Sequence, residues 1–104
     1  MFDLDHFKAY NDTYGHPEGD NALRQVAAIL AADIRTADAA YRFGGEEFVV
    51  LLAEEHLDGA TVIAERLRAT IESLALAHRT APFGTLTISA GVASYAPDRP
   101  DPRE

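Results

Sequence analysis

The sequence predicts an α+β domain in which helices flank a mainly antiparallel sheet, with the element order βααββαβ. Three observations predict this fold. Apolar residues recur at helical spacing in three segments, a Gly-Gly pair separates two apolar runs, and one late segment alternates as a half-buried strand does. The 104 residues, of which 47% are hydrophobic, are enough for one core. We therefore expect one domain over residues 1–95 and a proline-containing tail over residues 96–104.

The first half of the chain predicts one strand and two helices. Residues 2–4 form the end of a strand, and residues 6–14 form a short helix that Gly15 closes, since glycine is favoured after a helix. Residues 15–17 then predict a turn. A longer helix follows from Glu18, and its apolar face consists of Leu23, Val26, Ala27, Leu30 and Ile34.

The second half predicts a hairpin, a helix and a strand. Residues 39–43 and 48–52 flank Gly44 and Gly45, and a Gly-Gly turn of this kind has positive φ at both positions. Asp58 is a suitable N-cap for a helix, whose buried face consists of Ala60, Ile63, Ala64, Leu67, Ile71 and Leu74. Residues 85–93 alternate, which places Leu86, Ile88, Ala90 and Val92 on the core side of a strand.

Charge and composition exclude several classes of function. The net charge of -8 opposes binding to a nucleic-acid polymer, and the nine Lys and Arg residues form no basic stripe. No apolar run is long enough to cross a membrane and no signal segment is present, so we expect a cytoplasmic protein. Without cysteine, any metal must be held by oxygen or histidine.

Two groups of acids suggest a cation site. Asp3 and Asp5 end the first strand, and Glu46 and Glu47 follow the Gly-Gly pair. If these strands are neighbours, Asp3 and one glutamate converge, and hard oxygen ligands of this kind suit Mg²⁺ together with substrate phosphates. Solvated turn acids are the alternative interpretation. The glycines also let the backbone approach a ligand without a Cβ in the way.

Two separated blocks give this pattern a specific meaning. Residues 3–20 (DLDHFKAYNDTYGHPEGD) and residues 42–48 (RFGGEEF) resemble the GGDEF family, the diguanylate cyclases, and residues 87–92 (TISAGV) resemble a third block. The resemblance implies a nucleotidyl-cyclase or polymerase-palm-like fold. It also implies that a homodimer condenses two GTP molecules into cyclic di-GMP with Mg²⁺, or with Mn²⁺ in its place.

The resemblance also implies metal and catalytic roles for individual residues. Asp3 and Glu46 would ligate the ion, with the carbonyl of Leu4 helping and Glu47 beside them. Glu46 would be the base for the ribose 3′-hydroxyl, with Glu47 as the other candidate. Lys8 would stabilise phosphate charge, although an exposed lysine on a short helix is commonly just solvated.

Further positions match the family's nucleotide sites. Asn11 and Asp20 match the guanine-binding positions, and His16 matches a position near the substrate. Arg35 and Asp38 match the family's Arg-x-x-Asp inhibitory site, where the product binds. Arg66 matches an auxiliary arginine of that site. Each of these residues also has a simpler interpretation. An arginine near a helix C-terminus, for example, is stabilised by the helix dipole.

The resemblance leaves three alternatives open. Further family sequence before the first strand, and a final helix with a Lys and an Arg, are not present in this chain, so we expect weak turnover by the fragment. A cyclic di-GMP-binding module is therefore one alternative, and a structural or dimerisation remnant is another. A related nucleotidyl cyclase or polymerase palm is the third.

Overall fold

The computed structural model describes residues 1–94 and contains seven elements in the order βααββαβ. The elements are β1 (Phe2–Leu4), α1 (Phe7–Tyr14), α2 (His16–Ala32), β2 (Ala39–Arg42), β3 (Glu47–Leu51), α3 (Leu57–Ser73) and β4 (Ile88–Ala90). The predicted fold class and element order are confirmed. The predicted tail over residues 96–104 lies outside the described residues.

The four strands form one antiparallel sheet in the order β2-β3-β1-β4. The short strand β1 is central, so it pairs with β3 on one side and with β4 on the other. Asp3 lies opposite Glu47 of β3 and opposite Ser89 of β4. This register brings the acidic end of β1 next to the loop between β2 and β3.

One hydrophobic core joins the sheet to all three helices. Phe2, Leu4 and Phe48 from the strands are at most 3% exposed and belong to one cluster with buried residues of every helix. The helical residues of that cluster are Phe7, Tyr10, Ala22, Leu23, Val26, Leu30, Leu67 and Ile71. Since side chains alternate along a strand, Asp3 points to the face opposite Phe2 and Leu4. Burial of the apolar rows thus fixes where this carboxylate lies.

The Gly-Gly turn does not have the predicted conformation. In the described residues, the glycines with positive φ are Gly15 and Gly84, so neither Gly44 nor Gly45 adopts it. β2 ends at Arg42 and β3 begins at Glu47, which leaves a four-residue loop rather than a two-residue turn. The amide of Phe43 donates to the carbonyl of Glu47 (2.8 Å) and closes this loop.

The predicted helix starts also need correction. Residues 15–17 are not a free turn, because α2 begins at His16 with Pro17 in its first turn, where the missing N–H costs nothing. Gly15 (φ 90°) separates α1 from α2, and its amide donates to the backbone carbonyl of Asn11 (2.8 Å). The N-cap of α3 is His56, and Asp58 is an acid of the first turn, where the helix dipole favours it.

The ends of three predicted core faces differ from the prediction. β4 covers only residues 88–90, and Ala90 and Val92 are exposed, whereas Leu86 and Ile88 are buried as predicted. At the end of α3, Leu74 is 37% exposed, and Ile34 lies beyond the end of α2. No helix among residues 1–94 is long and apolar enough to cross a membrane.

Candidate functional site

The acids of β1 and of the β2–β3 loop converge, as the sequence predicts. The amide of Leu4 donates to the carbonyl of Glu46 (3.2 Å), so the end of β1 is bound directly to the loop. This bond and the pairing of Asp3 with Glu47 bring the carboxyl groups of Asp3 and Glu46 close enough for the charge of Asp3 to raise the pKa of Glu46.

The environment of Glu46 favours its protonated form. Burial is the largest cause of its raised pKa, followed by the negative charge of Asp3, a hydrogen bond with Asp3, and the charge of Glu47. Two carboxylates this close repel each other unless a proton or a cation lies between them. The arrangement therefore opposes simultaneous negative charge on Asp3 and Glu46, and a cation between them would relieve the repulsion.

The donor set fits a hard cation that is shared with a substrate. Among residues 1–94, no group of three or more Asp, Glu, His or Cys side chains lies close enough to hold a metal alone. Asp3 and Glu46 provide two carboxylates, and Mg²⁺ is commonly bound by one or two carboxylates plus water and substrate phosphates. Glu47 does not complete a cluster with them, because its carboxylate lies beside Gly44.

The loop itself is held by an arginine that the sequence analysis gave no role. Arg42 donates from Nε to the carbonyl of Gly44 (3.2 Å) and from Nη2 to the carbonyl of Gly45 (2.7 Å). A Cβ at Gly45 would meet no atom within 4 Å, so this side of the loop is open. The glycines thus leave open space beside Glu46. Arg42 fixes the conformation of the loop by binding both glycine carbonyls.

Asn11 and Asp20, the candidate guanine-binding residues, lie on two packed helices. Oδ1 of Asn11 is buried and accepts no hydrogen bond from the described residues, and it faces Gly19 of α2. Asp20, the next residue, is exposed and lines a groove of about 370 Å³ between α2 and β2, together with Leu23 and Phe48. Asn11 does not line this groove, but it contacts Gly19, the residue that precedes Asp20 in α2.

Lys8 and His16 are both exposed. Lys8 lies in the first turn of α1, and His16 is the first residue of α2. No hydrogen bond or ion pair holds either side chain among the described residues. Both are free to meet a ligand, and neither is bound to Asp3 or Glu46.

Asp38, a predicted inhibitory-site residue, is already fully engaged within the chain. Its side chain is 2% exposed and accepts hydrogen bonds from the amide of Ala53 (2.9 Å) and the amide of Arg35 (3.0 Å). The guanidinium of Arg35 adds two contacts to the same carboxylate. The amide of Ala53 is the first cause of the lowered pKa of Asp38, and Arg35 is the second. Asp38 therefore ties the start of β2 to the segment after β3.

Both candidate inhibitory-site arginines lie at the segment between α2 and β2: Arg35 belongs to it, and Arg66 binds its first residue. The side chain of Arg35 remains 58% exposed although it also donates to the carbonyl of Ala53 (2.8 Å). Arg66 of α3 binds the carboxylate of Asp33 and its carbonyl, each at 3.1 Å. Arg66 thus caps the end of α2, and each arginine is paired within the chain.

Two residues for which the sequence predicts no structural role, Asp5 and His78, hold the end of β1 and the turn after it. Asp5 accepts hydrogen bonds from the hydroxyls of Thr87 (2.9 Å) and Ser89 (2.7 Å) on the β4 side, and buried His78 contacts the carbonyl of His6 (3.0 Å). The alternating Thr-x-Ser of the third block was a signal for the first contact. No local signal pointed to His78.

The sequence of this chain is similar to those of proteins of a known family. The family described as "Diguanylate cyclase, GGDEF domain" matches residues 1–104. Diguanylate cyclase A of Treponema denticola is 44% identical over 95 residues, which are 91% of this chain and 25% of that protein.

Two solved structures share the fold. The GGDEF domain of DgcB from Caulobacter crescentus, in complex with c-di-GMP, has a TM-score of 0.74 at 34% identity, covering 85% of this chain and 53% of that one. The active GGEEF domain of a diguanylate cyclase from Vibrio cholerae has a TM-score of 0.67 at 31% identity, covering 84% and 54%.

The chain spans about a quarter of the length of the first of these relatives, and about half of the two solved domains. The family match nevertheless covers every residue, and the two separated sequence blocks meet in space as Asp3 and Glu46. The chain belongs to the GGDEF family of diguanylate cyclase domains.

Proposed function

We propose that this chain is the catalytic core of a diguanylate cyclase that condenses two GTP molecules into cyclic di-GMP. The convergence of Asp3 with Glu46 beside the open glycine loop is the observation that carries the proposal. The family match and the relatives named diguanylate cyclases support it. A solved relative in complex with c-di-GMP supports the product.

In this proposal, Asp3 and Glu46 hold Mg²⁺ together with the carbonyl of Leu4, and Glu47 adds negative charge nearby. When bound, the ion reduces the charge at the phosphates and favours deprotonation of the attacking hydroxyl. Mn²⁺ has similar ligand preferences and would serve in its place. Lys8 balances phosphate charge from α1, where its side chain is exposed.

Glu46 is suited to accept the proton of the ribose 3′-hydroxyl. Burial and the charge of Asp3 raise its pKa in the metal-free chain, and a bound cation would lower it, so its role as base rests on its position beside the glycine loop. Glu47 lies beside Gly44 rather than against Asp3, and it is the second candidate. A base at this position must reach a hydroxyl that attacks an α-phosphorus, and the open side of Gly45 leaves space for that approach.

Asn11 and Asp20 select guanine in this proposal. A carboxylate at position 20 accepts hydrogen bonds from the N1–H and exocyclic amine of guanine, a donor pair that adenine lacks. The groove beside Asp20 leaves its carboxylate accessible, and the side chain of Asn11, whose buried Oδ1 has no hydrogen-bond partner among the described residues, lies against the same helix. His16, at the start of the same helix, lies close to them in sequence.

Two copies of the chain must act together. Each protomer holds one GTP, and the product has two-fold symmetry, so the two sites must face each other across a C2 axis. Turnover should therefore rise more steeply than linearly with protein concentration at low concentration.

The test is incubation with GTP and MgCl₂, with cyclic di-GMP measured by mass spectrometry over a range of protein concentrations. We expect product from the wild-type chain and none from Glu46→Gln. Glu65→Gln is the matched control, because Glu65 is an exposed glutamate of α3 paired with Arg68. No product at any concentration, or equal product from Glu46→Gln, would refute the catalytic proposal.

Cyclic di-GMP binding through Arg35 is the second candidate, as product inhibition or as the main role of this chain. The exposed guanidinium of Arg35 and the c-di-GMP complex of a solved relative support it. Asp38 would have to release the amide of Ala53 before it could read a guanine edge. Calorimetry should show binding that Arg35→Ala weakens at least tenfold while Arg68→Ala, at an arginine whose ion pairs lie within α3, does not, and equal affinities would refute this candidate.

A further inference from the structure

His78 is the one polar or charged residue that is fully buried within residues 1–94, at 0% exposure. It lies in the segment between α3 and β4, outside the sequence blocks that resemble the family. Polar side chains are rarely buried without defined partners, because an unmet hydrogen bond costs free energy.

Both ring nitrogens of His78 have partners that fit a neutral imidazole. Nε2 lies 3.0 Å from the carbonyl oxygen of His6, which only accepts, so Nε2 carries the hydrogen. Nδ1 lies 3.3 Å from the hydroxyl of Thr80, which donates to it. The carbonyl of His6 also accepts the amide of Tyr10 (3.0 Å), the first hydrogen bond of α1. The imidazole thus bonds the residue at which α1 starts.

The surroundings of the ring are aromatic side chains of α1. His78 lies edge-on to Tyr10, with ring centres 5.2 Å apart, and to Tyr14 at 6.3 Å. The amide of Arg79 donates to the hydroxyl of Tyr14 (2.9 Å), and its guanidinium lies over the same ring. These contacts fasten the segment around His78 to α1.

The carbonyl that His78 holds belongs to a strained turn. His6 has φ 54° and ψ 35°, a left-handed conformation that costs free energy for a residue with a Cβ. The preceding residue, Asp5, is held from the other side by Thr87 and Ser89. The turn of Asp5 and His6 therefore has one set of bonds to the β4 side and one bond to His78.

This turn sets the position of β1 relative to α1. Asp3 lies two residues before it, and Lys8 and Asn11 lie in the helix that follows it. A small rotation at His6 would move Asn11 relative to Asp3, because the helix pivots on this turn. Affinity for a nucleotide that contacts both residues depends on that relative placement.

We propose that His78 is a positioning residue for the nucleotide site, acting through its Nε2–H bond to the carbonyl of His6. This inference rests on the proposed function, since it needs a Mg²⁺-nucleotide that contacts both β1 and α1. Loss of the bond should weaken nucleotide affinity by up to about tenfold, because the nucleotide site can lose at most the whole stabilisation that one buried hydrogen bond provides. It should also make the turn open more often.

Three substitutions separate the bond from the bulk of the ring. The amide of His78→Gln reaches the position of Nε2 and can donate to His6, whereas the shorter His78→Asn reaches only the position of Nδ1. His78→Leu removes both contacts. Leu67→Ala is the matched control, because Leu67 is a buried residue of α3 at 1% exposure and its loss destabilises the core without touching His6.

The first measurement is hydrogen exchange of the Asp5 and Tyr10 amides in the ligand-free protein, compared with amides of α3. The second is calorimetry with 3′-deoxy-GTP and MgCl₂, since this nucleotide lacks the attacking hydroxyl. We expect wild type and His78→Gln to agree in both measurements. We expect faster turn exchange and weaker affinity in the Leu and Asn variants, and unchanged affinity and turn-specific exchange in Leu67→Ala.

Several outcomes would overturn the inference. Unchanged turn exchange in His78→Leu would do so, as would a Gln variant that behaves like Leu. If the Leu variant does not fold, equal behaviour of Gln and Asn would do so. Faster exchange together with no 3′-deoxy-GTP binding by the wild-type chain would instead refute the proposed function, and with it a positioning role toward a nucleotide.

Discussion

Gly19→Ala tests the placement of Asn11, because these residues touch where α1 packs against α2. A Cβ at position 19 would overlap Oδ1 of Asn11 and lie 2.9 Å from its Cγ, closer than a Cβ is ever found to another atom. The ring of Phe7 would lie 3.3 Å away and leaves little room on that side. The Asn11 amide must therefore withdraw from its present position.

Two opposing effects set the size of the change in stability. Alanine is favoured over glycine inside a helix by about 1 kcal/mol, and position 19 lies within α2. Overpacking a tight contact costs about 1–3 kcal/mol. In the wild-type background, Gly19→Ala should therefore lower the free energy of unfolding by about 0–2 kcal/mol. In an Asn11→Ala background the amide is gone, so the same substitution should raise it by up to about 1 kcal/mol.

The assay is thermal unfolding of the wild-type chain, both single variants and the double variant. A change of 1 kcal/mol corresponds to about 4–8 °C in Tm for a domain of this size, so the change of sign is measurable. Gly19→Ala should also weaken binding of 3′-deoxy-GTP about two- to tenfold, the effect of one lost hydrogen bond. Equal effects of Gly19→Ala in both backgrounds would refute the contact, and unchanged nucleotide affinity would refute the role of Asn11.

Three further predictions concern carboxylates. Glu46→Gln should raise the free energy of unfolding of the metal-free chain by about 0.5–1 kcal/mol at pH 7, the size of a partly exposed charge repulsion. The sign follows from its raised pKa, because such a group favours the folded state at low pH and opposes it once the pH exceeds that pKa. A denaturant titration showing no gain at pH 7, or a gain that persists below pH 4, would contradict this. Asp38→Asn should lower Tm at neutral pH and reduce the loss of stability in acid, because the amide of Ala53 and Arg35 lower the pKa of Asp38. Its contribution is present above the ordinary pKa and is lost as the pH falls through the lowered value, so parallel Tm profiles against pH would refute it. Asp20→Asn should weaken binding of 3′-deoxy-GTP about tenfold or more while changing 3′-deoxy-ATP little, and an equal loss for both nucleotides in calorimetry would exclude base selection.

The element order could be predicted because strong periodicity survives tertiary packing. Leu23, Val26 and Leu30 recur on one face of α2 and are at most 5% exposed. The glycine loop could not be predicted in the same way. Its local preference is for positive φ, but Arg42 binds the carbonyls of both glycines and fixes another conformation. A preference of two residues cannot anticipate a side chain that bonds across the loop.

The candidate site was also predictable only in part. Acids at the end of a strand and beside a hairpin meet whenever the two strands pair, and Asp3 does lie opposite Glu47. The role of Asp38 was not predictable, because its partner, the amide of Ala53, is 15 residues away and spacing does not reveal which way a carboxylate turns. For the same reason His78, 72 residues from His6, carried no local signal.

The residues that hold the site are distinct from those that carry its charge. Asp3 and Glu46 repel each other, and β1, with three residues, is too short to hold Asp3 in place by strand pairing alone. Two uncharged groups add further bonds: the amide of Leu4 donates to the carbonyl of Glu46 in the loop, and the imidazole of His78 bonds the carbonyl of His6 in the turn after β1. Neither bond needs a charged partner, so both hold the end of β1 in place without adding to the charge of the site. In the proposed function, a cation that binds with a nucleotide would therefore meet carboxylates that the fold already brings together, and it would not have to supply the free energy of bringing them together.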